Sequence, residues 1–177
     1  MKNLILFLFF TLIIFIQLSI APRISFLGAL PNIILLIVIC WLIMDQTKRA
    51  FLWSCLFGLL VDIYSGGYFG AVALSLLLTI GGMFLVKNRL ISSNDLYSRI
   101  GIVAISTFLF GLINIGIISV YNFFISQQIL NIDVKIIYLI ILEIIFNIIL
   151  FLFLYPLCKK YEEFLQKLEI RIKAKNI

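Results

Sequence analysis

Apolar stretches long enough to cross a membrane recur along the whole chain, and they restrict its fold more than any other feature. A membrane-spanning helix needs about 20 predominantly apolar residues, and apolar stretches near this length lie at about residues 4–21, 28–44, 50–64, 69–86, 100–122 and 134–157. The third of them, 50–64, is short for a full span. Charged residues make up only 12% of the 177 residues, against about 25% in ordinary soluble domains. The sequence therefore predicts an all-α integral membrane protein, with six transmembrane helices in a compact bundle over residues 1–158 and a tail over 159–177.

The first apolar stretch also has features of a secretory signal peptide. Lys2 precedes it, and Ser19-Ile20-Ala21 resembles a small-residue cleavage site. Pro22 would directly follow the cut, where it disfavours cleavage, and the apolar run is long for a signal peptide. We therefore expect this stretch to be retained as the first span.

The basic residues predict the orientation of the six spans. Six spans place both termini on one side, and twelve basic residues fall on that side, against Arg23 and Lys135 on the other. Because basic residues concentrate on the cytoplasmic side of membrane proteins, both termini are predicted to be cytoplasmic, in the bacterial inner membrane. The twelve are Lys2, Lys48, Arg49, Lys87, Arg89, Arg99, Lys159, Lys160, Lys167, Arg171, Lys173 and Lys175.

One acidic residue, Asp62, interrupts the third apolar stretch. A carboxylate at membrane depth costs roughly 2.5–3.5 kcal/mol on insertion scales, so it normally faces a partner or a polar cavity rather than lipid. The turn that joins the third and fourth spans, with Ser65, Gly66 and Gly67, follows it directly. An acid beside an abrupt reversal of the backbone predicts a polar or partner-binding site at the outer end of the bundle.

Asn32 is predicted to lie at a similar depth to Asp62. It follows Pro31 at the outer start of the second span, where the missing amide donor of proline does least harm. A hydrogen bond between Asn32 and Asp62 is then within reach, and helix packing decides whether it forms. A purely structural role for the two residues stays open.

Small and polar residues recur at helical spacing in the third and fifth spans. In the third, Ser54, Gly58 and Asp62 are four residues apart, which places them on one helix face. Membrane helices pack through such faces because small residues let their backbones approach closely. The predicted helix-packing positions are Pro31, Ser54, Gly58, Gly70, Gly101, Ala104 and Gly111.

A second acid, Glu143, lies inside the sixth span. It shares a helix face with Asn147, and it lies at a similar depth to Asn114 of the fifth span. Acids inside membrane spans are functional candidates by default, so all three residues join the predicted polar pocket or partner site. The structural alternative, in which Glu143 only holds the sixth helix against the fifth, stays open.

The residue inventory argues against several classes of function. The sequence has no histidine, and no serine has a neighbouring base. Its acids are scattered over different predicted depths in the membrane. We therefore expect no enzyme activity, metal site or cofactor. The cysteines Cys40, Cys55 and Cys158 form no paired motif and are expected to be buried. The net charge of +6 follows membrane orientation rather than a basic patch on a soluble module, which disfavours nucleic acid.

The basic tail is the segment with the strongest amphipathic pattern. In one interpretation the tail lies on the inner leaflet, where each basic residue contributes about 1 kcal/mol to membrane binding. In a second it docks a cytoplasmic partner. In a third it has no specific role and is only a charged stop after the last span. The predicted apolar stripe consists of Tyr161, Phe164, Leu165, Leu168 and Ile172.

Residues 28–90 resemble the MreD family of the bacterial rod-shape machinery. The matching elements are Pro31-Asn32 at the start of the second span, Gly58 and Asp62 in the third, and the turn with Gly66, Gly67 and Gly70 into the fourth. Beyond this region the resemblance consists of chain length, six spans and a basic tail.

The resemblance implies a non-enzymatic scaffold that organises peptidoglycan synthesis and cell shape. It implies an MreC-like partner, with MreB, RodA, a class B penicillin-binding transpeptidase and membrane lipids as further contacts. It also implies a fold similar to the substrate-binding S-components of energy-coupling-factor vitamin transporters, so a vitamin-binding transporter subunit is the alternative function. The first span lacks the small-xxx-small pattern that S-components use to meet their transporter, which counts against that alternative.

Overall fold

The computed structural model describes residues 11–20, 23, 28–90, 95–126 and 134–175. These residues form six helical segments and no β-strand, so the all-α prediction is confirmed. Each segment overlaps one of the apolar stretches. The segments are α1 (residues 11–20, ending in the π-helical turn Ile16–Ile20), α2 (Ile33–Ile43), α3 (Thr47–Ser65), α4 (Ala71–Leu90), α5 (Leu96–Ser126) and α6 (Val134–Lys175).

Several parts of the sequence that carried predictions lie outside the described residues. These are Lys2, the start of the first span, the Ala21-Pro22 junction, and the side chains of Arg89, Leu165, Leu168 and of residues 170–177. In the described part, two helical stretches are long and apolar enough to cross a membrane, Leu96–Phe124 and Lys135–Phe164, and two shorter apolar helices are Ile33–Ile43 and Ala71–Lys87.

Helix α2 forms the centre of the bundle. All its residues from 34 to 42 are buried, and it contacts α3, α4, α5 and α6. Its sequence, IILLIVICWLI, is apolar on every side, which is typical of a helix that neighbours surround completely. The other helices keep one face toward α2 and leave large apolar side chains exposed on the outside, among them Leu85, Phe124 and Phe153.

Helices α3 and α4 form a hairpin whose turn docks on α5. Gly66 ends α3 in the left-handed conformation, with φ 63°, and Gly70 precedes α4 with φ 85°; glycine adopts both values without steric cost. Tyr68 stacks on Tyr121 of α5 with ring centroids 5.3 Å apart, and its hydroxyl also hydrogen-bonds Asn122. The aromatic pair thus fixes the turn to the neighbouring helix.

Charged side chains join five helices at the end of the bundle where α2 ends and α3 begins. Arg49 donates to both carboxylate oxygens of Glu162 on α6, at 2.7 and 2.6 Å. Lys87 of α4 contacts Asp45 at 2.7 Å and also donates to a carbonyl of α2. The guanidinium of Arg99 lies 4.7 Å from the ring centre of Tyr155. We call this end the basic end.

Helix α6 continues beyond the predicted end of the last span. It runs unbroken for 42 residues with Pro156 inside it, so the backbone of the predicted tail prolongs the sixth helix through Lys175. Of the predicted apolar stripe, Tyr161 is half-buried and Phe164 is half-exposed. The Arg49–Glu162 ion pair holds this extension against the start of α3.

The small residues of the predicted α5 face differ in how closely they are packed. Gly111 packs closely, since a Cβ added there would lie 3.3 Å from Ile140 of α6. Gly101 does not form the close helix contact that was predicted for it, because a Cβ added there would meet no atom within 4 Å. Ala104 is only half-buried. Gly101 lies beside the buried face of α5, which is formed by larger residues; they are Ile102, Val103, Ser106 and Phe110.

Candidate functional site

Helices α3 and α4 come into backbone contact at Gly58. A Cβ added to Gly58 would lie 2.3 Å from the Cα of Ala73 and 2.8 Å from its backbone nitrogen. One turn earlier on the same face, Ser54 is fully buried and its hydroxyl donates to the carbonyl of Phe51. No side chain larger than hydrogen fits at Gly58 without separating the two helices.

The close approach at Gly58 brings the carboxylate of Asp62 to the start of α4. Val72 N–H donates to Oδ1 of Asp62 at 3.0 Å, and Ala73 N–H donates to Oδ2 at 3.1 Å. These are amides of the first turn, which have no partner inside their own helix. Asp62 is 3% exposed, so it acts as a buried N-terminal cap supplied by the preceding helix.

The turn itself satisfies the remaining amides at the start of α4. Ala71 N–H donates to the carbonyl of Tyr68, and Leu74 N–H donates to that of Gly70. With the two bonds to Asp62, every backbone donor of residues 71–74 has an acceptor. A buried backbone donor left without an acceptor is costly, which is the physical reason for a buried acid at this position.

Asn32 and Asp62 do not share a hydrogen bond, because each has a different partner. The side-chain oxygen of Asn32 accepts from Leu35 N–H at 3.0 Å and caps α2. Its backbone N–H donates to the side-chain oxygen of Asn147 at 3.0 Å. The carboxylate of Asp62 is occupied by α4, so the two residues cap two different helices.

A second polar network joins α2 to α1, α5 and α6. Gln17 of α1 accepts from Ile33 N–H at 2.9 Å and donates to the carbonyl of Pro31 at 3.2 Å. The side chain of Asn147 is fully buried and donates to Thr107 Oγ1 at 3.2 Å. Asn147 is one of the predicted site residues, whereas Gln17 is not. Its amide side chain inside an otherwise apolar stretch is the feature of the sequence that indicates a buried polar contact.

A cavity of about 350 Å³ lies between the helices at the end opposite the basic end. Three predicted site residues, Asn32, Asn114 and Glu143, line it together. Its wall is otherwise mainly apolar, and Asp62, Asn147 and the turn residues lie outside it. The other lining residues are Gln17, Gly28, Ala29, Leu30, Pro31, Ile34, Val61, Val72, Leu76, Phe110 and Leu139.

Glu143 of α6 and Asn114 of α5 both line this cavity. Asn114 Oδ1 lies 3.2 Å from the hydroxyl of Ser75, which donates to it. For the carboxylate of Glu143, the described residues supply neither a hydrogen bond nor an ion pair. The turn residues Ser65, Gly66 and Gly67 are exposed, with Gly67 N–H donating to Ser65 Oγ at 3.4 Å.

Chemically, most of these polar groups serve the fold. Across the described ranges, no group of three histidine, cysteine or acidic residues is placed to hold a metal ion. The cysteines are free, and Cys40 and Cys158 are buried. Asp62, Asn32 and Asn147 have their hydrogen bonds within the bundle, whereas Glu143 is left facing open space.

Comparison with known proteins gives one family. A family model described as "rod shape-determining protein MreD" matches residues 1–161. The searches of curated proteins and of solved structures found no match.

Proposed function

The chain belongs to the MreD family of membrane proteins, which acts in rod-shape determination, and from this membership we propose that it is a non-enzymatic scaffold of the cell-elongation machinery. In this role it spans the inner membrane six times and holds partner proteins through helix contacts. The observation that carries the proposal, beyond the family, is the use of Asp62. This acid, the strongest polar candidate in the sequence, accepts one backbone hydrogen bond on each carboxylate oxygen and joins α3 to α4 as a cap.

The proposed topology places both termini and the basic end in the cytoplasm. Arg49, Lys87 and Arg99 meet at that end of the bundle, in agreement with the cytoplasmic preference of basic residues. The turn at Gly66-Gly67 then faces outside. The apolar side chains on the outer surface of the helices supply the lipid contact that six spans require.

Single-cysteine labelling tests this topology. In a variant without the three natural cysteines, we expect Ser65→Cys to react with a membrane-impermeant maleimide from the outer side of the membrane. Lys175→Cys should react only after the membrane is permeabilised, because it lies on the opposite side. Labelling of both positions from the same side contradicts the six-span topology.

The proposed partners follow from the family and from the shape of the bundle. An MreC-like protein with one membrane span is the first partner, packing on the exposed apolar surface. MreB, RodA and a class B penicillin-binding transpeptidase are proposed as further members of the assembly. The extension of α6, fixed by Arg49 and Glu162, is suited to contact cytoplasmic partners or lipid. The alternative of a vitamin-binding transporter subunit has no support from the comparisons.

Depletion in the native bacterium tests the scaffold function. We expect rods to become spheres over several generations, because the elongation machinery loses its membrane organiser, while vitamin uptake stays normal. Re-expression of the unmodified chain from a second locus is the control and should restore rods. Normal rods with impaired uptake of a vitamin would instead select the transporter alternative.

A further inference from the structure

The cavity around Glu143 has the features of a ligand site, which goes beyond a scaffold role. It opens at the end where α2 and α4 begin and α3 ends, and its volume of about 350 Å³ falls in the range of small-molecule sites. Such sites combine apolar walls with a few polar groups that orient the ligand. Here Leu76, Phe110 and Leu139 supply apolar wall, and Glu143 and Asn114 supply polar groups.

The charge of the cavity selects the kind of ligand. Its only ionisable lining residue among the described ones is Glu143, and its described wall carries no lysine or arginine. A carboxylate without a partner in a mainly apolar wall is costly unless a positive charge or hydrogen-bond donor meets it. Phosphate and carboxylate groups would be repelled there. A cationic hydrogen-bond donor would compensate the carboxylate of Glu143.

We propose that this cavity binds a primary ammonium group carried on a small apolar body. The ammonium donates to the carboxylate of Glu143, and its other donors are available to the side-chain oxygen of Asn114, which also lines the cavity. The apolar body of the ligand packs against the cavity wall at Leu76 and Phe110. A soluble amine and the amino headgroup of a lipid share this chemistry.

A matched series of ligands tests the proposal on the unmodified chain. Purified protein in detergent and an amine-free buffer is titrated with hexylamine, hexan-1-ol and hexanoate, and thermal unfolding is followed. We expect saturable stabilisation by hexylamine and none by hexanoate, because only the ammonium pairs with Glu143. Equal stabilisation by hexan-1-ol would overturn the proposal, since it would assign binding to the apolar wall alone.

Variants of α6 locate the binding to Glu143. Glu143→Gln keeps the size of the side chain and removes its charge, so the concentration of hexylamine for half-maximal stabilisation should rise roughly tenfold or more, as the loss of a charge-assisted hydrogen bond predicts. Glu163→Gln is the matched control. It makes the same change on the same helix, about 30 Å away along its axis, and should leave the titration unchanged. Equal titrations for the unmodified chain and Glu143→Gln would overturn the proposal.

Nanodiscs distinguish the two sources of the ammonium. With phosphatidylethanolamine as the added lipid, a lipid-derived ligand raises the unfolding temperature above that in phosphatidylcholine, whose methylated headgroup lacks the N–H donors, and Glu143→Gln removes the difference. With a soluble amine as the ligand, the two lipids give equal stability and hexylamine still stabilises the protein. Absence of both effects rejects the site. These measurements concern the cavity alone, so they stand apart from the depletion experiment on the scaffold role.

Discussion

Gly58→Ala is expected to separate α3 from α4 and to lower stability severely. The added methyl carbon would lie 2.3 Å from the Cα of Ala73, well inside van der Waals contact. The obstructing atom belongs to backbone, so no side-chain rotation relieves the overlap. We expect a loss of about 3 kcal/mol, at the upper end of the cost of overpacking, with a fall in unfolding temperature of roughly 6–12 °C for a chain of this size.

Thermal unfolding of the detergent-purified variant measures the effect, and Gly82→Ala is its control. Gly82 lies on α4 in the same helix pair, and a Cβ added there meets no atom within 4 Å. That substitution should be neutral or slightly stabilising, because alanine favours a helix over glycine by up to about 1 kcal/mol. If the two variants unfold at the same temperature, the close α3–α4 contact is not a source of stability.

Asp62→Leu should have the second large effect, because it removes the acceptor of two backbone amides at once. Val72, which is half-buried, and Ala73, which is buried, would keep their N–H groups without these acceptors. Each donor left unpaired costs roughly 1–3 kcal/mol, so we expect a loss of about 2–6 kcal/mol for the two together. Restoration of rod shape in depleted cells should fail with this variant.

Asp62→Asn is the graded control for this prediction. Its amide keeps one oxygen acceptor and replaces the other by a donor, so it should retain about one of the two bonds and lose clearly less stability than leucine. A stability of Asp62→Leu equal to that of the unmodified chain would show that the cap contributes nothing.

The two sites should also be coupled. Gly58 lets α4 approach, and Asp62 uses that approach one helical turn later. In the double variant Gly58→Ala with Asp62→Leu, the loss should therefore be smaller than the sum of the single losses, as expected for residues that share a contact. If the two single losses of stability simply add in the double variant, the cap and the close helix packing stabilise the protein independently.

The positions of the helices could be predicted from the sequence alone. Long apolar stretches determine the six helical segments, because only a helix satisfies the backbone inside such a stretch. The spacing of Ser54, Gly58 and Asp62 predicted that they share one side of α3, because residues four apart lie on one side of a helix, and all three are buried. The basic residues predicted one charged end, where Arg49, Lys87 and Arg99 are found.

Only the tertiary structure decided what each face meets. Asp62 bonds to backbone amides of α4 rather than to Asn32, and backbone donors leave no mark in a sequence pattern. Gly101 has the right residue type for close packing, yet it lies beside the buried face of α5. Periodicity defines which residues share a side of a helix, whereas the rotation of that helix against its neighbours is set by the packing of the whole bundle. For the same reason, the cavity that joins Glu143 to Asn114 became visible only once α5 and α6 were placed side by side.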